Sequence, residues 1–172
     1  MGGERTTDDF FHRARILASA GQMIAGAMAI SGVFLDWVRI TARPELVPGS
    51  DFGDTPVEAP QVSAPLNGLD IGWDGRWVLI AGVVLIVASI LVLTRARGGW
   101  YGFWAAIAIG AISFADYRGV GDVSWAIDRG LEIVGKPVVG AGLTLVAVAA
   151  VLGLIASVGA IAASPRARAA AS

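Results

Sequence analysis

Four long apolar runs decide most of what this chain of 172 residues can become. The first extends from about Ile16 to Ile40, and between Ile16 and Leu35 it carries one strongly polar side chain, Gln22. The second, Trp77 to Leu93, is a Val/Ile/Leu run bounded by Arg76 and Arg95. The third spans Trp100 to Ala115 and ends on Asp116, and the fourth spans about Val138 to Ala163. A helix needs about 20 apolar residues to cross roughly 30 Å of hydrocarbon, and these runs are of that order. A soluble fold would have to bury all four. With 55% hydrophobic and only 16% charged residues, against about a quarter charged in soluble domains, too little polar surface would be left to cover them.

The expected fold is therefore an all-α membrane protein. It is a single four-transmembrane-helix bundle with helices over about 16–40, 77–94, 99–116 and 138–163. Outer loops span 41–76 and 117–137, and tails span 1–15 and 164–172. The first run has a basic start at Arg13 and Arg15 and small residues at Ala27 and Ala29, as a cleaved signal has. Its apolar length exceeds the ~7–15 residues of such signals, so it reads as an anchor.

Orientation rests on cationic residues in short loops. Arg5, Arg13, Arg15, Arg95, Arg97, Arg166 and Arg168 fall on one side, with Arg95 and Arg97 in a very short loop. Arg39, Arg43, Arg76, Arg118, Arg129 and Lys136 fall on the other, together with most of the acids. Both termini are expected in the cytoplasm, the chain being multi-pass in the plasma membrane with the bilayer as its first partner.

The two outer loops differ in character. The first holds Pro44, Pro48, Pro56, Pro60 and Pro65, which withdraw backbone donors and push their predecessors into extended conformations. Either extended pieces such as Val57–Leu66 pair into a small outer β cap, or the loop stays PPII-like. In the second, Val123, Ile127, Leu131 and Val134 recur at helical spacing within Asp122–Lys136, which predicts a short amphipathic helix. Pro137 then suits the first turn of the fourth crossing. Trp37, Trp73, Trp77 and Trp125 gather near the outer boundary and Trp100 and Trp104 near the inner one, as aromatic belts do.

Chemistry is sparse. There is no cysteine, His12 is the one imidazole and reads as an ordinary juxtamembrane side chain, and a net charge of −1 offers no field for nucleic acid. Gly130-Leu-Glu-Ile-Val-Gly135-Lys136 matches a phosphate-loop spacing but continues with Pro137 where Ser or Thr is required. The stretch Leu66 to Trp77 is the most distinctive. Asp70 and Asp74 have the chemistry of an acid–base pair or of oxygen ligands for Ca²⁺, yet Asn67-Gly68 and Asp74-Gly75 read first as turns, with Asp74 capping the second helix. Asp70, Trp73, Asp74, Trp77 and Trp125 are the candidate partner contacts. No catalytic set, zinc spacing or haem ligand pair is visible, so the chain reads as non-enzymatic and without cofactor or metal.

Small residues repeat every fourth position at Gly21/Ala25/Ala29, Gly102/Ala106/Gly110 and Ala149/Gly153/Ser157. Such stripes let helix backbones approach closely in lipid, either within one bundle or against another membrane protein or copy.

At Phe34-Leu-Asp-Trp-Val38 and from Asn67-Gly-Leu-Asp70 to Trp77, the chain resembles small four-helix membrane proteins common in high-GC actinobacteria. In those, the first helix ends in a Leu-Pro-Trp-like tripeptide, here with Asp36 at the proline position, and a polar outer loop returns through a Gly/Asp/Trp turn. Twelve arginines against one lysine are similar to a high-GC coding bias. The resemblance implies a place in the membrane rather than an activity. The leading expectation is a non-catalytic accessory, stabilising or regulatory subunit of a larger membrane or envelope complex. A small oligomeric transporter or channel, its path lined by Gln22, Ser31, Ser89, Ser113, Thr144 and Ser157, is the alternative. A lipid- or wall-directed enzyme using Asp36, Asp70, Asp74 or Asp116, and a membrane-embedded defence or stress protein, complete the range.

Overall fold

The computed structural model describes residues 3–42, 62–94, 98–120 and 136–164. Helices α1 (Gly3–Phe34), α2 (Asp74–Thr94), α3 (Gly98–Gly119) and α4 (Ala141–Ala162) make up most of it, with strands β1 (Asp36–Ala42), β2 (Val62–Asn67) and β3 (Lys136–Val139). Among the described residues four helical stretches are long and apolar enough to cross a membrane: Phe10–Phe34, Asp74–Thr94, Gly98–Gly119 and Ala141–Ala162. They run alternately up and down. Each helix packs against the two beside it, with α1 touching α2 and α4, and α3 closing the square between them.

Why these runs pack as they do follows from what each face carries. α2 is apolar all round, and Ile80, Val83, Val87 and Ile90 are exposed on its outer face while Val78, Leu85, Ala88 and Val92 are buried. Burial of apolar area gives no preference for one face in hydrocarbon, so close backbone approach has to select it. The selected faces are those with small side chains. Ala25 and Ala29 of α1, Ala106 of α3 and Ala149 of α4 are all buried, alongside Val146, Leu143, Leu85 and Ile109.

The first crossing ends earlier than expected. It stops at Phe34, and residues 36–40 of the expected 16–40 helix belong instead to β1, which continues to Ala42. Two causes are visible. Trp37, Val38, Ile40 and Thr41 are aromatic or β-branched residues that favour a strand. The last carbonyls of α1 also find partners outside the helix: the Trp37 indole Nε1–H donates to Gly32 O at 2.8 Å, and the Gly68 N–H donates to Val33 O at 2.8 Å. Carbonyls left open at a helix end inside an apolar medium would cost several kcal/mol each, so such partners fix the boundary. At its other end α1 begins at Gly3, within the expected 1–15 tail.

Of the two readings of the first outer loop, the β cap is present at its end. β1 is the central strand, antiparallel to β2 through pairs such as Val38–Leu66 and to β3 through Val38–Val139. Pro65 and Pro137 stand opposite Arg39 and Ile40 in the outer strands, where a missing donor is tolerated. Pro137 therefore belongs to β3 rather than to the first turn of α4, which starts at Ala141. Residues 43–61, with Pro44, Pro48, Pro56 and Pro60, and the expected amphipathic helix up to residue 135 lie outside the described residues.

Candidate functional site

The turn from Asn67 to Trp77 links the cap to α2. Asn67 Oδ1 accepts the N–H groups of Leu69 (2.9 Å) and Asp70 (3.1 Å), and Asp70 Oδ2 accepts the N–H of Asn67 (3.2 Å). This reciprocal Asx arrangement stops β2 and reverses the chain. Gly72 completes it with φ +93°, a conformation that a side chain would resist. Ile71, between them, is buried beneath the cap. The Trp77 N–H donates to Trp73 O at 3.1 Å, the first bond of α2, so Trp73 rather than the expected Asp74 occupies the cap position. The expected Asp74-Gly75 turn is instead the first turn of α2, where the Asp74 charge meets the positive end of the helix.

The structure thus brings Asp70, Trp73, Asp74 and Trp77 together at the capped end of the bundle, while Trp125 lies outside the described residues. Trp73 and Trp77 are exposed at 68% and 56%, and the Arg76 guanidinium stands over the Trp73 ring at 4.7 Å. Asp36 pairs with Arg39 at 2.8 Å, Arg118 lies over Phe114, and Asp116 is buried in α3. Trp37 departs from the expected belt role. It is fully buried under the cap, and its indole holds the end of α1 rather than the headgroup zone. Trp100 and Trp104 are exposed at the opposite end.

The candidate helix-packing residues face inward. Gly21 backs onto Ala156, Gly110 onto Ala150, and Gly153 sits among Ala106, Leu85 and Ala25. At Gly102 the approach is so close that a Cβ would run into the Gln22 amide and would lie 2.7 Å from Ser157 Oγ. Gln22, fully buried, donates from Nε2 to Ser157 Oγ at 2.9 Å and so ties α1 to α4 across the face of α3. Its Oε1 is buried with no hydrogen-bond partner among the described residues.

One turn below, Ser19 Oγ donates to Ser89 O at 2.9 Å, a bond between α1 and α2 at a serine not singled out from sequence. Three of the hydroxyls expected to line a path turn back on their own helices: Ser89 to Ile86 O, Ser113 to Ile109 O and Thr144 to Gly140 O. At the end remote from the cap, Arg15 Nη2 donates to Val92 O (2.6 Å) and Leu93 O (3.1 Å), satisfying the last carbonyls of α2.

Among the described residues, two of the grooves on the outer surface are apolar and open. One, of about 450 Å³, lies between α2 and α3 and is lined by Trp77, Ile80, Val84, Trp104, Ala108 and Ile112. The other, of about 440 Å³, lies between α3 and α4 along Tyr117, Thr144, Val148, Val151 and Ile155. Nearly all of both surfaces is apolar.

Taken with the four apolar spans, this is the architecture of a multi-pass membrane protein with a small β cap at one end of its bundle. No protein-family model matches the chain, and no curated protein sequence matches it either.

Proposed function

We propose that this protein is a non-catalytic, multi-pass membrane protein that works by contact, as an accessory or regulatory subunit of a larger membrane or envelope assembly. The observation that carries this reading is the filled interior. Gln22, Ser157 and Gly102 meet on the bundle axis with no room for a side chain, and the small-residue stripes are consumed by packing within the bundle. What remains to act on other molecules is the outside, above all the capped end, where Asp70, Trp73, Arg76 and Trp77 present exposed polar and aromatic groups. Aromatic and arginine side chains on an ordered turn are the residue types that dominate binding energy at interfaces. In orientation, the cap faces outward and both termini face the cytoplasm.

Gentle detergent extraction of the tagged chain, followed by size analysis and identification of what travels with it, tests this. The expected result is stoichiometric company that Trp73→Ala reduces while the helical circular dichroism is retained. A homo-oligomer without other proteins that conducts ions in liposomes would replace the reading with the transporter alternative.

A further inference from the structure

The groove between α2 and α3 has a cation, Arg76, beside its capped end. On α3 its lining runs from Tyr101 to Ile112, about 16 Å along the helix, and on α2 it begins at Trp77 and Ile80 next to the cap. Arg76 lies four residues before Ile80 and therefore one turn above it on the same helix face. Its guanidinium is exposed, rests on the Trp73 ring at 4.7 Å and makes no ion pair among the described residues. A cation thus stands one helical turn above an open apolar groove whose walls are almost free of polar surface.

We propose that this groove holds one acyl chain of a membrane phospholipid with an anionic headgroup, whose phosphate is met by Arg76 at the level of Trp73 and Trp77. The chemistry of the two ends argues for that occupant. An arginine fork matches phosphate oxygens and keeps its charge at any pH a cell reaches, and indoles settle at the headgroup level. The groove is floored by Ala81, Ala105 and Ala108 and rimmed by Trp77, Tyr101 and Trp104, an apolar space that a flexible acyl chain fills while its headgroup reaches Arg76. The site shares Trp73, Arg76 and Trp77 with the proposed contact surface but needs no protein partner, so lipid retention by the purified chain tests it separately from the accessory role.

The test uses the full chain purified in a mild detergent. Native mass spectrometry counts lipid retained after addition of phosphatidylglycerol or phosphatidylcholine, and thermal unfolding reads stabilisation by each. Wild type is expected to retain phosphatidylglycerol preferentially and to unfold at higher temperature with it. In Arg76→Gln retention of phosphatidylglycerol falls roughly fivefold, to the level of phosphatidylcholine, the scale of one basic residue at an anionic surface. Ala108→Trp, which fills the groove at an exposed position without changing charge, lowers retention of both lipids. Arg118→Gln removes the same charge at the same end, away from the groove, and keeps the preference. Equal retention of the two lipids by wild type, or equal losses in Arg76→Gln and Arg118→Gln, would overturn the proposal. So would a lipid-free dimer that Ala108→Trp separates, since a second copy would then fill the groove.

Discussion

Gln22 shows at the scale of one residue how a membrane bundle treats a polar side chain. Its Nε2 is paired with Ser157 and its Oε1 is not, so the amide is half satisfied in an apolar interior. An unmade bond costs more than a made one gains, and the neighbours of Gln22 should therefore matter unequally. Ser157→Ala strands the remaining amide donor and is expected to cost about 1 kcal/mol, within the range of interhelical bonds in membranes. Gln22→Met removes both polar atoms at similar volume and should be close to neutral. Gly102→Ala forces the amide aside and should cost about 1–3 kcal/mol as an overpacked core position. Denaturant or thermal unfolding of the purified variants checks all three; a Gln22→Met variant less stable than Ser157→Ala would refute the ordering. Gln22 stood out in the sequence because it was the sole strongly polar residue of its run. Its bond to Ser157 did not, since a separation of 135 residues carries no local signal.

At the scale of elements, helix ends rather than helix interiors were hard to read. The apolar runs announced the spans, but hydropathy does not mark where a helix yields to a strand of equally apolar residues. Trp37 and Val38 are as buried in β1 as they would be in a helix. The decision came from carbonyl partners supplied by distant parts of the chain, Gly68 for α1 and Arg15 for α2. β1 holds both neighbouring strands, so Val38→Pro, which removes a donor from the central strand, should undo the cap. Hydrogen exchange would show faster amides in Val62–Asn67 and Val138–Val139 with α2 and α3 unchanged. Protection of both strands at the wild-type level would mean that the sheet does not depend on β1 pairing. The turn after β2 was more legible at Asn67-Gly68, where the Asn67 side chain makes its own local hydrogen bonds, than at Asp74-Gly75, which begins α2.

For the whole molecule, the two ends of the bundle are chemically distinct. Arg15 and Ser164 belong to the end where α2 gives way to α3, and Trp73 to the capped end. The chain has no cysteine, so single cysteines report without background. Trp73→Cys should react with a membrane-impermeant maleimide on intact cells, and Ser164→Cys only after permeabilisation. Labelling of Ser164→Cys on intact cells would invert the proposed orientation. The six tryptophans illustrate what global position adds. Their placement near the run boundaries was visible in the sequence, yet Trp37 faces the core while Trp73, Trp77, Trp100 and Trp104 face outward.

By itself the sequence determined the number of apolar spans, their order and the presence of a turn at Asn67-Gly68, because each depends on residues close together in the chain. Run length sets whether a helix can cross hydrocarbon, and short-range side-chain to backbone bonds set a turn. Only the tertiary structure decided that the small-residue stripes face inward, that a three-stranded cap replaces the last turns of the first expected helix, and that Arg76 stands over a groove. In a bundle apolar on every side, no periodicity tells the inner face from the outer one. That choice falls to close packing and to the pairing of backbone groups that lipid cannot satisfy.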